Sequence, residues 1–189
     1  MIKAIIFDFD QTLVNTLPIH YQAYNKVSND IGISLTMDHF YKNIGGIALE
    51  VIPKFINGQK CPISIEEIHK RKKKEIINII ATCKIEPLET HKLLDIFKIN
   101  FKIALASCGS NAHVKTILNK LHWNDYFDVI LTAENITYGK PNPEIFEMAA
   151  QKLNVSPKEC LVFEDSDDGI LAAQNAGMRW FNVNNTTKR

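Results

Sequence analysis

Short apolar runs that end abruptly in acids or small polar residues leave this chain few ways to fold. Ile2 to Phe7, rich in Ile and broken only by Lys3, stops at Asp8; Phe101 to Ala106 stops at Ser107, Cys108 and Gly109; Cys160 to Phe163 stops at Glu164 and Asp165. Val129 to Thr132 is a fourth run and Phe181 to Val183 a fifth. Runs this short and this apolar suit strands buried on both faces of a parallel sheet. Between them lie helical patterns over Thr90 to Lys98, Asn111 to Leu121, Pro143 to Leu153, and Asp168 to Ala176, the last closed by Gly177. Strands alternating with helices at this spacing imply βαβ units and an α/β core.

Residues from about 15 to 84 break that alternation: they carry helical periodicity and turn signals but no convincing buried strand. Tyr21 to Ile31 and Ile65 to Thr82 are the longest expected helices there, and Gly32, the Gly45-Gly46 pair and Asn57-Gly58 separate the pieces. Pro53 is expected to interrupt a helix. The division that follows is a core built from 1–14 and 85–189, with an inserted helical subdomain over 15–84; Pro87 marks the return. At 189 residues, one core with one insertion is what the length allows.

Charge excludes several classes of partner. Lys and Arg number 22 against 21 Asp and Glu, so no overall field attracts nucleic acid or an anionic membrane, and a charged ligand must be held locally. The basic run from His69 to Glu75, HKRKKKE, spreads around a helix circumference and reads as a solvated face. Cys61, Cys83, Cys108 and Cys160 stand far apart without a CxxC pair or a His at zinc spacing, and read as reduced, structural thiols. No apolar stretch is long enough for a signal peptide or a membrane span, so a soluble cytoplasmic protein is expected. A monomer is expected, with neither nucleic acid nor membrane as partner.

In open parallel sheets ligands bind beyond the carboxyl ends of the strands, where this chain collects Asp8, Asp10, Ser107, Lys140, Glu164 and Asp165. Asp8 and Asp10 are two apart, so in extended backbone both side chains lean to one side. Carboxylates that close raise one another's pKa unless a cation lies between them. A divalent cation answers the repulsion, and an all-oxygen ligand set without His or Cys points to a hard ion, Mg²⁺.

The stretch DFDQTLVNT from Asp8, Ser107 after an apolar strand, GKPNP at 139–143 and FEDSDDGI at 163–170, in that order, resemble the four signatures of the haloacid dehalogenase superfamily. The resemblance covers the whole chain, and FEDSDDGILAAQNAGM is similar to the branch holding β-phosphoglucomutase and the sugar-phosphate and phosphoglycolate phosphatases. It implies a Rossmann-like core with a helical cap inserted after the first motif.

By that resemblance Asp8 is the nucleophile that becomes an aspartyl phosphate, and Asp10 the general acid and base. Lys140 contacts both nucleophile and phosphate; Ser107 and Thr12 donate to the phosphate. The metal set is Asp8, Asp10 through its main-chain carbonyl, Asp165, and Glu164 directly or through water. His20, twelve residues after Asp8, is either a substrate-side residue that supports cap closure or a half-buried helix histidine. Asp167 and Asp168 match no required position and read as acids favoured by a helix N-terminus.

Two positions depart from the family pattern. Gln11 replaces a common glycine, which argues against a glycine-only backbone angle there. Asn15 replaces a common hinge acid. The cap turn Asn43-Ile44-Gly45-Gly46, expected to face the active site, carries no arginine to hold a second phosphate, which favours hydrolysis over phosphomutation. The expected activity is Mg²⁺-dependent hydrolysis of a small phosphorylated metabolite, a sugar or polyol phosphate. A phosphomutase, a metal-free dehalogenase and a non-catalytic phospholigand-binding relative are the alternatives.

Overall fold

The computed structural model describes residues 1–44 and 48–186, and they form two compact units, Met1–Asn15 with Ile85–Arg189 and Thr16–Lys84. In the first unit five strands form one sheet: β1 (Ala4–Phe7), β2 (Lys102–Ala106), β3 (Val129–Leu131), β4 (Cys160–Glu164) and β5 (Arg179–Asn182), in the order β3-β2-β1-β4-β5. Every pairing is parallel, with Phe7 opposite Leu105 on one side and Phe163 on the other. The helices α5 (Lys92–Lys98), α6 (Asn111–Leu121), α7 (Glu144–Leu153) and α8 (Asp167–Asn175) complete this unit. The architecture is a Rossmann-like α/β sheet, in which the apolar runs are strands buried on both faces.

Strand alternation divides those faces. Ala4 and Ile6 of β1 join Ala104, Ala106 and Val162 in a cluster with Ile145, Phe146, Ala149 and Ala150 of α7 and Ala172 and Ala173 of α8. Alanine dominates because a helix must approach the sheet closely there. Phe7 turns the other way and stacks on Phe163 at 5.0 Å, with Phe97 of α5 closing the cluster and Phe181 packing on Phe163. The central strand is therefore pinned from both sides, fixing where its carboxyl end delivers Asp8. The backbone of Asp8 continues the ladder by donating from its N to Phe163 O at 3.0 Å.

The chain then turns back tightly. Leu13 N and Val14 N both donate to Phe9 O, and Gln11 N donates to Val14 O. Gln11 itself adopts φ +63°, the left-handed conformation that its side chain argued against. That expectation is corrected by the turn: its backbone bonds outweigh the roughly 1–2 kcal/mol cost of a left-handed non-glycine residue. Asn15 N donates to Glu86 O, and Leu88 N to Leu13 O, so outgoing and returning segments are tied together within the core unit.

The second unit contains α1 (Leu17–Asp30), α2 (Met37–Asn43), α3 (Ala48–Ile56) and α4 (Ile65–Thr82). Its core is aromatic, with Phe40 fully buried against Tyr21, Tyr24 and Phe55. Ser64 begins α4 by accepting from Glu67 N, and Thr36 begins α2 by accepting from His39 N. Pro53 lies inside α3 rather than ending it. A proline forfeits one hydrogen bond, but Val51, Ile52 and Phe55 on the same helix are buried and hold the turn. The Gly45-Gly46 half of the expected cap turn lies outside the described residues.

Replacing Phe40 by Ala should cost about 3–5 kcal/mol of stability, because a buried ring leaves a cavity its aromatic neighbours cannot close. Urea unfolding followed by circular dichroism measures this; a loss below about 1 kcal/mol would contradict the packing described.

Candidate active site

The carboxyl ends of three adjacent strands bring their terminal residues together. β1 delivers Asp8, β2 delivers Ser107 and β4 delivers Glu164 and Asp165. Lys140, in the loop before α7 and preceding a cis peptide to Pro141, reaches into the cluster. Its Nζ donates to Asp8 Oδ1 at 2.5 Å, to Glu164 Oε1 at 2.6 Å and to Ala106 O at 3.2 Å, and lies 4.9 Å from the Phe146 ring centroid. Only 8% of the Lys140 side chain is exposed. Burial opposes its charge, but Asp8 and Glu164 outweigh that and raise its pKa, so the ammonium stays protonated.

Burial first, then Glu164, Asp165 and Asp10, push the Asp8 carboxyl well above its usual range, with Lys140 opposing. Burial and Glu164 push Asp165 up to about 7, against the pull of Thr12 and Lys140. One ligand oxygen from each of Asp8, Glu164 and Asp165 lies within 4.8 Å of the others. Three carboxylates against one ammonium leave two negative charges uncompensated, and the donors are all oxygen. This set fits a hard divalent cation.

Glu164 stays within reach of Asp8 and Asp165, and it is also heavily hydrogen-bonded. Its Oε1 is engaged by Lys140, while Oε2 accepts from Asp165 N and Ser166 N at 2.8 Å and from Ser166 Oγ at 2.9 Å. Glu164 thus anchors Lys140 and the turn into α8 in addition to its place in the acid cluster. Gly169 makes this possible, because a Cβ there would overlap the Glu164 carboxylate. Asp167 and Asp168 occupy the first turn of α8, where the helix N-terminus favours acids.

Thr12 and Ser107 are buried, and their hydroxyls are directed at aspartates. Thr12 Oγ1 donates to Asp165 Oδ1 at 3.2 Å. Ser107 Oγ donates to Asp10 Oδ2 at 3.3 Å and accepts from Gly109 N at 2.9 Å. The remaining Asp10 oxygen, Oδ1, lies 2.9 Å from His113 Nε2 on α6. Sequence reasoning missed His113; its only signal is a polar residue on the inward stripe of an amphipathic helix. His20 sits on α1 of the helical unit, half-buried, its N donating to Thr16 O. The basic run of α4 is solvated at Lys70, Arg71, Lys73 and Lys74, but Lys72 is buried with its ammonium 4.8 Å from the Tyr24 ring. Burial raises the Cys108 thiol pKa despite the opposing pull of Lys140, so this thiol is not activated.

The family model described as haloacid dehalogenase-like hydrolase matches residues 5–183, and the chain belongs to that family. It is an enzyme of the phosphatase type. The chain is 31% identical to a phosphorylated carbohydrates phosphatase of Thermotoga maritima, over 93% of this chain and 82% of that protein. It is 33% identical to the β-phosphoglucomutase of Bacillus subtilis, over 93% and 80%. Among solved structures, CbbY from Rhodobacter sphaeroides in complex with phosphate superposes with a TM-score of 0.85 at 28% identity, covering 95% of this chain and 85% of that one. No helix among the described residues is long and apolar enough to cross a membrane.

Two outcomes follow from this geometry. Gly-to-Ala changes inside helices usually stabilise by about 1 kcal/mol, but Gly169→Ala should destabilise by about 1–3 kcal/mol, because Glu164 must move. Urea titration checks the sign. In metal-free protein, Asp165 keeps its proton up to about 7 when folded but releases it near its ordinary 3.8 when unfolded. The folded state binds more protons in that window, so the thermal midpoint in chelator should fall as pH rises from about 4 to about 8, and added Mg²⁺ should reverse the loss at the upper end. A flat profile would mean the acids are not crowded.

Proposed function

We propose that the chain is a Mg²⁺-dependent phosphomonoesterase of sugar or polyol phosphates, working as a cytoplasmic monomer through an aspartyl phosphate on Asp8. The observation that carries this reading is the buried cluster of Asp8, Glu164 and Asp165 around the Lys140 ammonium. The names of the relatives support the substrate class, and four free cysteines suit a reducing compartment. Thr16–Lys84 acts as the cap in this reading, with His20 among its substrate-side residues.

Lys140 holds Asp8 Oδ1, leaving Oδ2 to attack phosphorus. As that P–O bond forms, the ester P–O bond breaks, and Asp10 gives its proton to the departing alkoxide. Water then attacks phosphorus, Asp10 takes its proton, and the Asp8–phosphorus bond breaks to release orthophosphate and restore the carboxylate. Charge in each transition state is spread over three phosphoryl oxygens, and in this reading Lys140, Ser107 and Thr12 supply positive charge and donors to them. Asp8, Asp165 and the Asp10 main-chain carbonyl would hold Mg²⁺, which supplies further positive charge to those oxygens.

A phosphomutase is the second reading, favoured by the 33% identity to β-phosphoglucomutase. The two separate in one assay. A panel of sugar phosphates, phosphoglycolate and nucleotides, with Mg²⁺ or with chelator, should release phosphate only with Mg²⁺. Faster conversion of a sugar 1-phosphate to its 6-phosphate than release of free phosphate would favour the mutase. Asp8→Asn should lower turnover by about a thousandfold or more; near-normal turnover would overturn the nucleophile assignment.

A further inference from the structure

We propose that His113 is the positioning residue for the general acid, fixing the Asp10 carboxylate so that one defined oxygen meets the leaving group. The inference rests on the role given to Asp10 above.

Three observations support it. When Asp10 is ionised it offers only acceptors, so His113 Nε2 donates across the 2.9 Å contact to Oδ1, which orients the carboxyl and turns Oδ2 toward proton exchange. The imidazole is itself held: its side chain is 3% exposed, its ring stands edge-on to Phe9 at 6.2 Å and 83°, and its backbone N donates to Ser110 Oγ at the start of α6. A ring locked in this way transmits the position of α6 to a side chain that is itself 27% exposed. Finally, the space around the pair is reserved. A Cβ on Gly109 would lie 3.0 Å from Ser107 Oγ, 3.2 Å from Asp10 Oδ2 and 3.2 Å from His113 Cδ2, so a side chain there would press on all three converging groups.

Oδ2 accepts a long 3.3 Å bond from Ser107, which a substrate oxygen can displace. Without His113 the carboxylate would rotate about its own bond, and proton delivery would fall while phosphoryl attack by Asp8 remained. That separation gives the test. An ester whose leaving group departs unprotonated needs no general acid, whereas a poor leaving group depends on one.

The experiment measures kcat/KM with Mg²⁺ for phenyl, p-nitrophenyl and 2,4-dinitrophenyl phosphate in the wild type, His113→Leu and His113→Gln. In His113→Leu the loss on phenyl phosphate should exceed that on the dinitrophenyl ester by about tenfold, a fraction of the roughly 10²–10⁴-fold that a general acid contributes, because Asp10 itself is retained. His113→Gln, whose terminal N–H can still reach Asp10, should recover much of the difference. An equal loss on all three esters would make His113 merely structural; no loss on any would remove it from the reaction. Either result overturns the proposal while leaving the phosphatase reading intact. A wild type that hydrolyses none of the three would overturn both. Asp10→Asn run in parallel should show the same steepened dependence on leaving group, tying the effect to that carboxylate.

Discussion

The ammonium of Lys140 is the group on which the rest of the site depends. It lies between Asp8 and Glu164, almost wholly buried, and joins the ends of β1 and β4 to the loop before α7. Burying a charge costs several kcal/mol, and an ion pair recovers that only when the remaining donors are also satisfied. Here the third donor bond goes to Ala106 O and the Phe146 ring lies beneath, so three core elements converge on one nitrogen. Lys140 opposes the burial and the neighbouring acids that push the Asp8 carboxyl up. Charge therefore enforces the convergence that packing permits.

Packing sets how close the convergence can be. The Ala4, Ala104 and Ala106 side of the sheet lets α7 lie close, which brings the loop carrying Lys140 over the strand ends. On the opposite face the stacked Phe7, Phe97 and Phe163 rings prevent β1 and β4 from sliding. Gly169 completes the fit from below by leaving room for a carboxylate against the first turn of α8. Each small residue is small because something charged or helical occupies the space beside it.

The strands and the chemistry-bearing acids were legible in the sequence because buried parallel strands leave uninterrupted apolar runs, and acids at their ends stand out sharply. Asp8, Lys140 and Asp165 come together as the motifs imply. The hydrogen bonds that orient them were not legible. Glu164 lies in the acid cluster, and it also accepts from Lys140 and from three donors of the next turn, bonds that depend on local backbone direction. His113 sits 103 positions from Asp10 and carries no motif. Gln11 in a left-handed turn, Pro53 inside α3 and Lys72 beneath Tyr24 share one cause: tertiary contacts overrode what each residue prefers alone.

The different fates of Asp8 and Asp10 show how two like residues, two positions apart, acquire different chemistry. Crowded carboxylates normally share a proton, which would spoil a scheme needing one permanent anion and one proton carrier. This fold gives the pair separate partners: Asp8 faces an ammonium in a dry pocket, and Asp10 faces an imidazole and a hydroxyl at the pocket's more exposed edge. The Lys140 cation beside Asp8 opposes the upward push of burial and the neighbouring acids, whereas Ser107 and His113 meet Asp10 with a hydroxyl and an imidazole. The proposed division of labour would thus originate in the sheet order, since β2 and α6 serve one aspartate while β4 and the Lys140 loop serve the other.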